Sequence, residues 1–111
     1  MKRGINIALL GRGTVAQGVI QLLLTNQELI KRRVGAPLIL KRVLIRNRNR
    51  RQGFKLPAGL VTHRPEEILR NPDIHIVVEL IGGYEPARSY ILKAMEAGKD
   101  VVTANKALLA V

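Results

Sequence analysis

The sequence predicts an α/β domain: a doubly wound, mostly parallel sheet with helices on both faces. Three observations predict it. Several strand-length runs are apolar almost throughout instead of alternating, as strands covered on both faces must be. Stretches of helical period separate them. The interior also has few aromatic residues to use, with two Tyr, one Phe and no Trp in 111 residues that are 47% hydrophobic. A core of Val, Ile, Leu and Ala is what a parallel sheet under helices is made from.

The elements follow in order. Residues 5–10 read as a buried strand ended by Gly11. From Thr14 the period becomes helical, with Val15, Val19, Leu22, Leu23 and Ile30 on the inward face. One long helix is expected to run on to Lys31, Arg32 and Arg33 before Gly35, because cations suit the negative end of a helix dipole. Residues 38–45 form a second strand, interrupted by Lys41 and Arg42, and 47–53 a basic loop. Residues 60–62 make a short third strand and 65–69 a small helix, Pro65 sitting where its missing N–H costs little.

Residues 74–80 are the next buried strand. Residues 86–97 form a helix with Ala87, Ile91, Ala94 and Met95 inward, stopped by Gly98. Residues 101–103 are a further strand, and another helix begins at Ala104. Right-handed crossovers place these strands in the order 3-2-1-4-5. There is no repeat or linker, so 1–111 is expected to be one domain.

Composition excludes several chemistries. Without cysteine there is no disulfide framework, thiolate metal site or thiol nucleophile. No metal site is expected. The apolar run near the N-terminus stops at Gly11, too short for a membrane span, and no signal-cleavage pattern follows; a cytoplasmic protein with no membrane partner is expected. The net charge of +11 is lopsided: residues 1–60 hold thirteen Lys/Arg and one acid, residues 61–111 six and seven. Such asymmetry suggests a polyanionic partner or ligand. The basic run has no interleaved aromatics beyond Phe54 and no nucleic-acid motif, which argues against a nucleic-acid partner.

Gly11-Arg12-Gly13-Thr14-Val15-Ala16 fits Gly-x-Gly-x-x-Gly/Ala after a strand and before a helix. Gly11 allows the tight turn, Gly13 lets a pyrophosphate approach the main chain, and Ala16 keeps the helix close to the sheet. Free N–H groups at the helix start then face the anion. This is a dinucleotide-binding, Rossmann-like fingerprint. Gly18, one turn on, makes sense if its face is pressed against a neighbouring backbone.

After the second strand an NAD enzyme usually carries an acid for the ribose hydroxyls. None occurs between Glu28 and Glu66, whereas Arg46, Arg48, Arg50 and Arg51 crowd that position. A guanidinium there can pair with a 2′-phosphate, so NADP is the expected cofactor, with NAD possible, and Arg46 then Arg48 are the candidate contacts. The fourth strand runs into Ile81-Gly82-Gly83-Tyr84-Glu85-Pro86, and the fifth into Thr103-Ala104-Asn105-Lys106. Both strand ends belong to the ligand edge of a parallel sheet. Glu79, on a buried strand, is expected to be paired with a cation. His63 and His75 have no partner at ligand or triad spacing and read as structural; Tyr84 reads equally as a cover for the pocket or as a half-exposed turn residue.

The motif Gly-Gly-x-Glu-Pro-Ala and the later Ala-Gly-Lys-Asp-Val-Val-Thr-Ala-Asn-Lys-Ala-Leu-Leu-Ala resemble the end of the nucleotide-binding domain of homoserine dehydrogenases. The opening Gly-Arg-Gly-Thr-Val-Ala-Gln-Gly-Val is similar to the same family's glycine turn, with Ala16 in place of the commoner third glycine. The resemblance implies NAD(P)H-dependent interconversion of aspartate 4-semialdehyde and homoserine, on the route to threonine, methionine and isoleucine. It implies that Gly11, Gly13, Thr14 and Val15 lie along the cofactor and that Gly83, Thr103, Asn105 and Lys106 line its nicotinamide side, with Lys106 catalytic. It also implies a later substrate and dimerisation domain, absent from these 111 residues, and a homo-oligomer at full length. Two other readings stay open on the residues alone: the cofactor domain of another Rossmann oxidoreductase, or a nucleotide-sensing module without catalysis.

Overall fold

The computed structural model describes residues 4–11, 14–45, 58–81, 83 and 85–103. Their elements run β1 (Ile5–Leu10), α1 (Thr14–Thr25), α2 (Gln27–Val34), β2 (Leu38–Leu44), a short 3-10 turn (Ala58–Leu60), β3 (Val61–Thr62), α3 (Glu66–Leu69), β4 (Ile76–Glu79), α4 (Ala87–Glu96) and β5 (Asp100–Thr103). The five strands form one sheet in the expected order β3-β2-β1-β4-β5, and every pairing is parallel.

Period-two alternation sends β1 to two cores at once. Ala8 and Leu10 join Leu44, Ile68, Leu69, Ile74, Val77 and Ala94 beneath α3 and α4. Ile7 and Leu9 join Ile20, Leu23, Leu40, Val43 and Ile45 beneath α1. Both faces are covered, which is why Ile7 to Leu10 is an unbroken apolar run.

The basic pair in β2 is accommodated by a register shift. Ile7 pairs with Leu40 but Ala8 with Arg42, so Lys41 is skipped and stays exposed. Arg42 lies half-buried and its Nη1 donates to the Gly59 carbonyl at 2.8 Å.

Three expectations are corrected. The single long helix is two helices, divided at Asn26, whose φ/ψ of −113°/33° leave the helical region. The Thr25 hydroxyl donates back to the Gln21 carbonyl at 2.7 Å, a local bond that competes with helix continuation. The inward set also differs: Ile20 and Leu23 are buried, whereas Leu22 is 51% exposed and Met95 59% exposed. Both exposed residues lie well round the helix from the contact line, and Tyr90 packs under α4 instead. Gly18 is exposed, with no described atom within 4 Å of a Cβ placed on it, so among the described residues no neighbouring backbone presses on that face.

Candidate cofactor site

Because all strands run one way, their C-terminal ends lie on one edge of the sheet. Chain direction diverges there between β1 and β4: the chain leaves β1 toward β2 on one side and reaches β4 only after β3. A crevice at such a switch point is where open α/β sheets bind ligands.

The lip of that edge is knit one residue past β1, β2 and β4. The Gly11 N–H donates to the Leu44 carbonyl at 3.0 Å, Leu80 N–H to Leu10 at 2.9 Å and Ile45 N–H to Thr62 at 2.9 Å. Gly11 adopts a φ of +102°, a conformation that disfavours any L side chain. A Cβ there would lie 2.9 Å from Ile81 Cγ1 and 3.0 Å from the Ile81 backbone. Glycine at this position therefore lets the turn after β1 close onto the turn after β4. Ala16 follows at 1% exposed, seating the first turn of α1 on the sheet as its size predicts.

The main chain of Thr14 and Val15 opens α1, so both lie at the helix start where N–H groups are free for an anion. Gly83, beside the other half of the crevice, is exposed with a φ of +72°, and no described atom lies within 4 Å of a Cβ placed on it. Thr103 ends β5 on the same edge. Gly13, Arg46, Arg48, Asn105 and Lys106 fall outside the described residues, as do Arg50, Arg51, Tyr84, the loop 47–53 and the helix expected from Ala104.

Glu79 is fully buried at the end of β4. Its Oε2 accepts the Ile81 N–H at 2.8 Å and its Oε1 accepts the Thr103 hydroxyl at 2.5 Å. Both of these donors are neutral, one a main-chain N–H and one a hydroxyl. On the far side of the turn, Glu85 holds the start of α4: its Oε1 accepts both the N–H and the hydroxyl of Ser89 at 2.9 Å.

The two histidines work on the main chain. His63 Nδ1 lies 2.6 Å from the Ile45 carbonyl, and because a carbonyl only accepts, Nδ1 carries the proton. With the Ile45 N–H bonded to Thr62, the residue before Arg46 is held at both its polar groups by the end of β3. His75 Nδ1 accepts the Asn6 N–H at 2.9 Å on the opposite edge of the sheet.

Sequence reasoning passed over two residues. Ile81 forms the wall against Gly11. Lys99, 7% exposed, donates through Nζ to the Asn71 and Ile74 carbonyls at 2.5 and 3.0 Å, and burial pushes its pKa down. No local pattern marks either one, since each acts on residues distant in the chain. Among the described residues no cluster of His, Cys, Asp or Glu is suited to a metal ion, and no helix is long and apolar enough to cross a membrane.

Known proteins of the same build are readily found. Residues 11–111 match the family described as homoserine dehydrogenase, NAD binding domain. The homoserine dehydrogenase of Methylobacillus glycogenes is 52% identical over 108 residues, 96% of this chain and 26% of that protein. The Bacillus subtilis enzyme of the same name is 36% identical over 98% of this chain and 25% of that protein. A crystal structure of homoserine dehydrogenase from Thiobacillus denitrificans superimposes with a TM-score of 0.88 at 42% identity, covering 96% of this chain and 25% of that one. The chain spans about a quarter of the length of these relatives. A positive-φ glycine at the switch point of a parallel sheet, a helix opening three residues later and this match over almost the whole chain lead to one assignment: the chain belongs to the homoserine dehydrogenase NAD-binding domain family.

Proposed function

We propose that this chain is the cofactor domain of a homoserine dehydrogenase that interconverts aspartate 4-semialdehyde and homoserine. The observation that carries the reading is Gly11, held at positive φ against Ile81 where β1 hands over to α1. A dinucleotide diphosphate needs main-chain donors and a turn free of side chains, and the residues around 11–16 suit that need. Gly83 beside the same crevice, with no described atom within 4 Å of a Cβ placed on it, suits the flat nicotinamide ring.

In this reading Gly11, Gly13, Thr14 and Val15 hold the diphosphate. Gly83, Thr103, Asn105 and Lys106 flank the nicotinamide. The bound cofactor supplies a hydride to the aldehyde carbon. Lys106 holds a proton for the developing alkoxide, and the rigid strand ends fix the orientation that a two-reactant step requires. Substrate carboxylate contacts, a second lysine and the contacts of a homo-oligomer are assigned to a later domain. A cytoplasmic setting without nucleic-acid or membrane partners completes the reading.

NADP is the preferred cofactor in this proposal. Thirteen cations in the first sixty residues support it, as does the absence of an acid between Glu28 and Glu66, where Arg46 and Arg48 stand instead. Titration calorimetry of NADPH and NADH into wild type and Arg46→Ala tests both levels. Arg46→Ala is expected to weaken NADPH by about tenfold, the worth of one charge-assisted contact, with NADH little changed. An unchanged preference removes the role of Arg46. No heat from either dinucleotide removes the dehydrogenase reading.

A further inference from the structure

Glu79 ends β4 with no exposed surface, in a position where packing alone would be served by an apolar residue. The register of the sheet pairs it directly with Thr103. Two residues earlier on each strand, Val77 and Val101 point into the apolar cluster under α3 and α4, so Glu79 and Thr103 leave the sheet on that same face. The carboxyl therefore sits at the outermost level of the core, where the core meets the ligand edge.

Its two oxygens serve two different chain segments. Oε1 accepts the Thr103 hydroxyl across the β4–β5 boundary. Oε2 accepts the Ile81 N–H from the turn that leads to Gly83. A carboxyl is suited to this because its two acceptors are rigidly spaced, and a buried amide N–H or hydroxyl left without an acceptor is costly. The turn after β1 has anchors of its own, in the Gly11 N–H to Leu44 bond and the buried Ala16 and Ile20 of α1.

We propose that Glu79 is a positioning residue for the nicotinamide end of the site, joining the turn at 81–83 to the strand end at Thr103 and holding them at one separation. The proposal rests on the dinucleotide reading above and deepens it. Gly83 and Thr103 flank the nicotinamide in that reading, so loss of the link loosens that end and leaves the diphosphate end seated.

Two ligand pairs test it in the full-length protein by titration calorimetry: NADPH with 2′-phospho-ADP-ribose, and NADH with ADP-ribose, the second of each pair lacking the nicotinamide. In Glu79→Leu the intact dinucleotide is expected to weaken by about tenfold, while its fragment moves by less than about threefold. Thr103→Val, which keeps the side-chain shape and removes the hydroxyl that donates to Oε1, is expected to show the same split at smaller size. It carries the comparison alone should Glu79→Leu fail to fold. Equal weakening of dinucleotide and fragment, as general loosening of the domain would cause, overturns the proposal. Unchanged dinucleotide affinity in both variants overturns it too. Wild-type protein that binds neither member of either pair instead removes the dinucleotide reading, and the proposal with it.

Discussion

Gly11 carries two constraints at once, a left-handed φ of +102° and a Cβ position 3.0 Å from the Ile81 backbone. Neither is relieved by moving a flexible side-chain end, because backbone atoms form part of the obstacle. Gly11→Ala is therefore expected to cost about 2–4 kcal/mol from strain and overpacking together. Urea unfolding would measure it, and a loss below about 0.5 kcal/mol would mean that the two turns can separate freely. Lys99 yields an expectation of the opposite kind, one that depends on pH. Burial sets its folded-state pKa below the ordinary lysine value of 10.5. Between the lowered value and the ordinary one the unfolded chain holds more protons, so this residue's contribution to unfolding free energy rises with pH across that window. Subtracting Lys99→Met from wild type isolates it. The difference should climb as pH rises on the alkaline side toward about 10, and a flat difference would contradict it. Near neutrality the same variant should lose about 1–3 kcal/mol, because the Asn71 and Ile74 carbonyls lose a donor.

At the scale of elements, helical periodicity names more apolar residues than one contact face can take. In α1, Ile20 is 1% exposed and Leu22 51% exposed, and in α4 Ala94 is fully buried while Met95 is 59% exposed. Ile20→Ala is expected to cost about 2–4 kcal/mol, the range for a buried large-to-small change, whereas Met95→Lys should stay within about 0.5 kcal/mol. Comparable losses from the two would place Met95 in a contact that these residues alone do not make. Strand β2 illustrates the other side of element-level reading. Lys41 and Arg42 look like interruptions of an apolar run, yet a single register shift disposes of Lys41 to solvent and brings Arg42 to the Gly59 carbonyl.

The whole molecule is a sheet with two covered faces and one edge on which the turns after its strands gather. That edge is built from the C-terminal ends of the five parallel strands, and in the proposed reading its other walls are assigned to a later domain. The chain covers about a quarter of its relatives' length. Residues 1–111 expressed alone are accordingly expected to bind NADP(H) weakly and to reduce no aspartate semialdehyde; the absorbance of NADPH at the semialdehyde's addition checks it, and turnover by the isolated domain would overturn the assignment of substrate contacts to a later domain.

What the sequence by itself determined was periodic and local. Apolar runs covered on both faces, helical stretches between them and right-handed crossovers leave one strand order, and Gly11 to Ala16 mark the turn that opens the site. Tertiary structure alone decided the rest. Glu79 meets Thr103 across 24 residues, His63 meets Ile45 across 18 and Lys99 meets Asn71 across 28. The reason is physical: period and turn chemistry are carried by neighbours a few residues apart, whereas a partner for a buried polar group exists only after strands have paired in register and brought distant residues to one level of the sheet.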